Sequence, residues 1–230
     1  MRPKLLLFDI DGTLLDTGGA GGAALLDSAE EIFNVKREAL PPLDLAGATD
    51  LGVLRKLFSD AQVAMEPDSV SIFRETYLGF LQARLNAVNF PGRLLPGVAG
   101  AIERLARDER FVLGLLTGNF RRGAEIKLDR FQMRKPFIDG AFGDDAEDRN
   151  HLGPIALARL SAARNHQFLP QEVIVIGDTP KDVACAHAFG ARCVAVATGK
   201  FSLSALQEHA SWQVLEDLSD TDQFIELLAA

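Results

Sequence analysis

The chain is predicted to be α/β, with a parallel-sheet, Rossmann-like core and an inserted all-helical block near its start. Three observations predict this. Leu5, Leu6, Leu7 and Phe8 form an unbroken apolar run, as in a strand buried on both faces. From Leu25 to Leu85 only helical periodicities occur. From Leu95 onward helix and strand alternate, which is the grammar of βαβ units.

The elements follow in order. The first strand ends in Asp9 and Asp11 with Gly12 as turn residue, so two carboxylates emerge where ligands gather in open α/β sheets. Gly18, Gly19, Gly21 and Gly22 read as a hinge, because the stretch lacks the Lys-Ser/Thr ending and full spacing of a phosphate loop. Leu25, Leu26, Ala29, Ile32 and Phe33 then line one face of a helix. After Pro41-Pro42, a second helix carries Leu51, Leu54, Leu57, Phe58 and Ala61, with Thr49 or Asp50 as its cap. A third follows Pro67 and presents Phe73, Tyr77, Phe80, Leu81 and Leu85. Beyond Gly97, a helix through Val98, Ile102 and Leu105 precedes the strand Phe111 to Leu116. Later strands are expected at Val173 to Ile176 and Cys193 to Ala197, with helices near Arg121 to Arg130, Ile155 to Arg164, Lys181 to Phe189 and Asp220 to Leu228. At roughly 75 residues the insertion is long for a connection and reads as a lid. The expected division is a core domain of residues 1–17 and 93–230 and a helical cap domain of residues 18–92.

Composition narrows the function. With 47% hydrophobic residues the 230-residue chain can bury a sizeable core. A formal net charge of −8 argues against general attraction to nucleic acid or anionic membranes, so an anionic substrate must be captured locally. The start is too short in apolar residues, and too soon interrupted by Asp9, for a secretory signal, and no run approaches a membrane span. A cytoplasmic protein without membrane or nucleic-acid partners is expected, its oligomeric state unknown. Cys185 and Cys193 lack metal-site spacing and read as buried thiols. His151, His166, His187 and His209 show no ligand or triad spacing, and Trp212 reads as packing on the core.

Two more strand ends match the first. Thr117-Gly118-Asn119 offers a hydroxyl and free backbone N–H groups of the kind that bind phosphate. Gly177-Asp178-Thr179-Pro180-Lys181-Asp182 again sets carboxylates just past a buried strand; Asp182 could equally cap the next helix.

Asp9-Ile10-Asp11-Gly12-Thr13-Leu14 resembles the first signature of the haloacid dehalogenase superfamily of aspartate-nucleophile phosphatases, and Gly177-Asp178-Thr179 with Asp182 resembles the fourth. The layout is similar to that of phosphoglycolate phosphatases with a helical cap. The resemblance implies a phosphoric monoester hydrolase that releases phosphate from small phosphorylated metabolites. Asp9 would be nucleophile and Mg²⁺ ligand, Asp178 a second ligand, Asp182 a supporting acid, and Asp11 the proton carrier whose backbone carbonyl also meets the metal. A hard, oxygen-liking Mg²⁺ suits a carboxylate that must approach a dianion. Thr117, Gly118 and Asn119 would hold the phosphate.

One departure stands out. The family's third signature is a Lys followed by Pro, whereas the matching region runs from Phe142 to His151 without a Lys. Arg149 is the first substitute for the phosphate-neutralising cation and Lys127 the second. The loop Ala46 to Asp50 is expected to face the site, so Thr49 and Asp50 could read the leaving group or simply cap a helix. A phosphosugar mutase, another hydrolase on the same fold, or a non-catalytic phosphate-binding protein are the alternatives.

Overall fold

The computed structural model describes residues 2–40 and 42–230. Strand β1 (Lys4–Phe8) leads into β2 (Leu15–Asp16) and then α1 (Ala20–Phe33), α2 (Asp50–Asp60) and α3 (Pro67–Leu85). The chain returns through β3 (Arg93–Leu94) to α4 (Val98–Ala106), β4 (Phe111–Leu116), α5 (Arg121–Arg130), β5 (Gly140–Ala141) and α6 (Leu152–Arg164). It ends with β6 (Val173–Gly177), α7 (Pro180–Ala188), β7 (Arg192–Val196), α8 (Leu203–Gln207), β8 (Gln213–Leu215) and α9 (Thr221–Ala229). Among the described residues no helix is long and apolar enough to cross a membrane.

Six strands form one parallel sheet in the order β5-β4-β1-β6-β7-β8. Alternation along β1 divides its side chains: Leu6 and Phe8 join one apolar cluster with α4 and α9, while Leu5 and Leu7 join another with α6 and α7. Covering helices on both faces explain why the strand is apolar at every position. The predicted α/β architecture is therefore the one observed. Trp212 packs at the margin of the first cluster, with the Arg192 guanidinium 4.6 Å from its ring centroid. Both cysteines are free and buried, as their spacing suggested.

Helices α1, α2 and α3 surround a third cluster built on Leu54, Phe58, Phe73 and Tyr77, which Phe120 and Ile126 of the sheet-bearing part complete. At the base of this block, β2 and β3 pair antiparallel, Leu15 with Leu94 and Asp16 with Arg93, bringing entry and exit of the insertion together.

The expected hinge over the glycines is only partly present. Gly18 and Gly19 do turn the chain with positive φ, but α1 begins at Ala20 and takes Gly21 and Gly22 into its first turns. Space accounts for those two. A Cβ on Gly21 would sit 3.2 Å from Lys127 Nζ, and one on Gly22 would crowd Leu45 at 2.8 Å. At both positions the glycine lets a neighbouring side chain approach closely.

Candidate active site

Register places the site. Phe8 lies between Leu115 of β4 and Ile176 of β6, so the residues following all three strands converge at one sheet edge. The Asp9 N–H donates to the Ile176 carbonyl at 2.9 Å, which fixes the first carboxylate where its strand ends. Asp9, Asp178 and Asp182 are all buried, and one oxygen from each lies within 4.8 Å of the others.

These three acids have different surroundings. Asp182 is fully committed: Oδ1 accepts from Arg149 Nη2 at 2.5 Å, and Oδ2 accepts from Thr179 N–H at 3.0 Å and Thr179 Oγ1 at 2.7 Å. Its carboxylate thus completes the capping box that Thr179 opens on α7 and also pairs with the buried arginine. Among the described residues the Asp178 carboxylate has only the Thr13 hydroxyl, donating to Oδ1 at 3.2 Å. Gly12 and Gly199 flank its carboxylate so closely that a Cβ on either would collide with Oδ2. Thr198 Oγ1 donates to the Gly12 carbonyl at 2.6 Å and ties the two flanking turns together.

Charge explains the next feature. Burial pushes the Asp178 carboxyl up to about 8, with the anions of Asp182 and Asp9 adding to the shift. Burial likewise raises Asp9 to about 6, against the opposing pull of Arg149 and with a further push from Asp182. Two adjacent oxygen donors thus lack enough positive charge. A divalent hard cation fits this pair, since it supplies charge and accepts carboxylate oxygen.

Arg149 reaches the site from the turn before α6. Its Nη2 lies 3.3 Å from Asp9 Oδ1 and donates to the Leu116 carbonyl at 3.2 Å as well as to Asp182, while its buried Nε has no partner among the described residues. Burial acts to lower its pKa, but Asp182 and Asp9 outweigh that and raise it, so the group is a permanent cation. Lys127 arrives too, at a different place. From α5 its Nζ donates to Asp11 Oδ2 at 2.6 Å and to Asn119 Oδ1. Asn119 Nδ2 in turn donates to Asp11 Oδ2 and to Thr117 Oγ1, both at 2.8 Å. Arg149 stands beside the proposed nucleophile and Lys127 beside the proposed proton carrier.

The helical block closes over this edge. Asp50 N–H donates to the Gly118 carbonyl at 2.6 Å, and Asp50 Oδ2 accepts from Phe120 N–H at 2.7 Å. Thr49 Oγ1 accepts from Gly52 N–H at 3.1 Å as the cap of α2 and donates to the Glu147 carbonyl at 2.6 Å. Between the two parts lies a cavity of about 620 Å³, lined by Asp9, Asp11, Thr117, Asn119, Lys127, Arg149 and Asp178 together with Gly118 and Asp50. The site residues expected from sequence therefore line one cavity, except Asp182, which holds Arg149 from behind, and Thr49, whose hydroxyl is used in capping α2 and in bonding Glu147. His151 is exposed on the surface.

Sequence reasoning gave no role to Thr13, Thr198, Gly199 or Tyr77. Thr198 and Gly199 follow β7 as Thr117 and Gly118 follow β4, so position at a strand end was the available signal. Tyr77 carried none, since its spacing is that of any core residue of α3.

The family model for haloacid dehalogenase-like hydrolases matches residues 6–196. A phosphoglycolate phosphatase of Chromobacterium violaceum is 26% identical over 225 residues, covering 94% of this chain and 95% of its own. One from Synechococcus elongatus is 27% identical over 224 residues, covering 96% and 97%. The crystal structure of a hydrolase from Pseudomonas syringae superposes with a TM-score of 0.72 at 20% identity, covering 99% of this chain and 100% of that one.

Proposed function

Because this chain belongs to the haloacid dehalogenase-like hydrolase family, we propose that it is a Mg²⁺-dependent phosphatase of small phosphate monoesters, with residues 18–92 acting as its cap. One observation carries the reading: Asp9 and Asp178, two buried carboxylates short of positive charge, share the sheet edge with the buried cation Arg149 and with Asp11 two residues past Asp9. The relatives' names support hydrolysis of a phosphate ester and put phosphoglycolate in the first substrate panel.

Asp9 and Asp178 would hold Mg²⁺, with the Asp11 backbone carbonyl as a further oxygen ligand. When bound, the ion would offset the repulsion between the carboxylate nucleophile and the dianionic ester. The chain's own groups do the rest. Asp9 attacks phosphorus and forms an aspartyl-phosphate as the ester oxygen leaves. Asp11, 40% exposed at its side chain and with Oδ1 unpartnered among the described residues, hands that oxygen a proton and later takes one from water. Arg149, which lines the cavity beside Asp9, neutralises phosphoryl oxygens. Thr117 and Asn119 fix the phosphate and the Asp11 carboxylate, and the cap excludes water.

The test is phosphate release from a generic aryl phosphate with Mg²⁺, wild type against Asp9→Asn. Loss of a nucleophile should cost about three orders of magnitude or more in kcat. A variant as active as wild type would remove Asp9 from the role, and an inactive wild type across a broad ester panel would remove the phosphatase reading.

A further inference from the structure

The cations around the cavity are already occupied by carboxylates. Lys127 pairs with Asp11 at 2.6 Å, Arg149 with Asp9 and Asp182, Arg93 with Asp16 at 3.2 Å, and Lys200 with Asp44 at 3.9 Å. Among the described residues two lining carboxylates have no such ion-pair partner: Asp178, which belongs to the metal pair, and Asp50. Asp50 is the only one of the two on the cap side, where the alcohol half of an ester must lie.

Asp50 is tied to the core at that position. Its backbone N–H and its Oδ2 are both bonded to the core at Gly118 and Phe120, and it opens α2 directly after the capping Thr49. Its Oδ1 has no hydrogen-bond partner among the described residues, while the residue lines the cavity. Two more polar groups there are incompletely used. The Tyr77 hydroxyl has no partner among the described residues, and the Lys127 ammonium, with three N–H bonds, has two acceptors. Tyr77 stands close enough to Asp50 and Asp11 for both anions to add to the effect of burial on its phenol. The wall beside these groups carries Gly21, Gly22, Leu25 and Val53, while the ion pairs Arg93–Asp16 and Lys200–Asp44 also line the cavity.

An acceptor, a hydroxyl and a spare ammonium donor together suit a group that both donates and accepts. Alcohol hydroxyls do both; a carboxylate only accepts, and it would bring a second negative charge into a low-dielectric pocket beside Asp50. We propose that the cap side of this cavity selects a short, neutral, hydroxyl-bearing leaving group over a carboxylate-bearing one, with Asp50 as the residue that discriminates and Tyr77 and Lys127 as its co-ligands. The inference rests on the phosphatase reading and departs from the carboxylated ester for which the relatives are named.

The experiment compares kcat/KM for glycerol phosphate and phosphoglycolate with Mg²⁺ in wild type and Asp50→Asn. Wild type should favour glycerol phosphate by tenfold or more, and the variant should move the ratio at least tenfold toward phosphoglycolate, with thermal melting checking that it folds. A wild type that favours phosphoglycolate, or a variant that lowers both substrates in equal proportion, overturns the inference. Should Asp50→Asn not fold, Tyr77→Phe replaces it, with a severalfold loss expected on glycerol phosphate alone and an equal loss on both esters counting against the proposal. Calorimetric binding of 3-hydroxypropylphosphonate and phosphonoacetate reads the same preference without turnover. Tighter binding of the hydroxylated phosphonate that Asp50→Asn abolishes would sustain the inference even if no ester were hydrolysed. Tighter binding of phosphonoacetate, or binding of neither, would overturn it.

Discussion

At the scale of single residues, Asp178 shows how the site depends on a missing charge. Its carboxyl is raised to about 8 by burial and by the neighbouring Asp182 and Asp9, against about 4 for an unfolded aspartate. The folded state therefore binds more protons than the unfolded state between these values, and the metal-free protein should lose stability as pH rises from about 4 to about 8. Asp9, raised to about 6, adds to the same slope over the lower part of the window. Thermal melting across this range in a chelator should show the decline; added Mg²⁺, or Asp178→Asn without Mg²⁺, should flatten it. A flat profile in chelator would mean that neither carboxylate is under strain. The identities of these acids were legible in the sequence, because carboxylates after buried strands are conspicuous. The assignment between Arg149 and Lys127 was not. Both are single cations at unremarkable spacings, and only the paths of the turn before α6 and of α5 show that one meets Asp9 and the other Asp11.

At the scale of elements, the N-terminus of α2 joins the cap to the core. Thr49 Oγ1 caps the helix and also donates to the Glu147 carbonyl, two residues before Arg149. Arg55, further along α2, pairs with Glu147 in solvent, and an exposed pair of that kind contributes little, about 0–1 kcal/mol. The buried hydroxyl should matter more. Thr49→Ala is expected to lower stability by about 1–2 kcal/mol, as lost caps do, while Thr49→Ser keeps both bonds and stays near wild type in urea denaturation. Equal midpoints for the two variants would show that the bonds contribute nothing. The capping role was readable from Thr49-Asp50 before a helical repeat; the bridge to Glu147 was not, since it joins positions 98 residues apart. Elements escaped for a simpler reason. Strands β2, β3, β5 and β8 have two or three residues each, too few to show any period. The glycines of the supposed hinge misled because local chemistry registers their freedom, whereas their use at Gly21 and Gly22 is to admit Lys127 and Leu45.

For the whole molecule, the question is what holds the helical block shut over the sheet edge, and one close contact there is backbone against backbone. Gly118 ends the β4 loop with its carbonyl accepting from Asp50 N–H, and a Cβ on it would collide with the Ala48 carbonyl and crowd Thr49 Cα. No side chain lies in the way that could swing aside, so a Gly118→Ala protein can relieve the overlap only by moving the loop Ala46 to Asp50 outward. That movement removes Asp50 from the cavity and admits water to the phosphate site, both of which oppose catalysis. The sheet beneath has no part in the clash. Gly118→Ala should therefore lose at least a hundredfold in kcat/KM while keeping the far-ultraviolet circular dichroism of wild type, and its radius of gyration in small-angle scattering should rise. Gly79 supplies the control, because a Cβ there meets nothing within 4 Å. Gly79→Ala should leave activity unchanged and stabilise α3 by up to about 1 kcal/mol. If Gly118→Ala proved as active as Gly79→Ala and equally compact, the cap would not need this contact to close, and Asp50 would have to be positioned by Phe120 N–H alone.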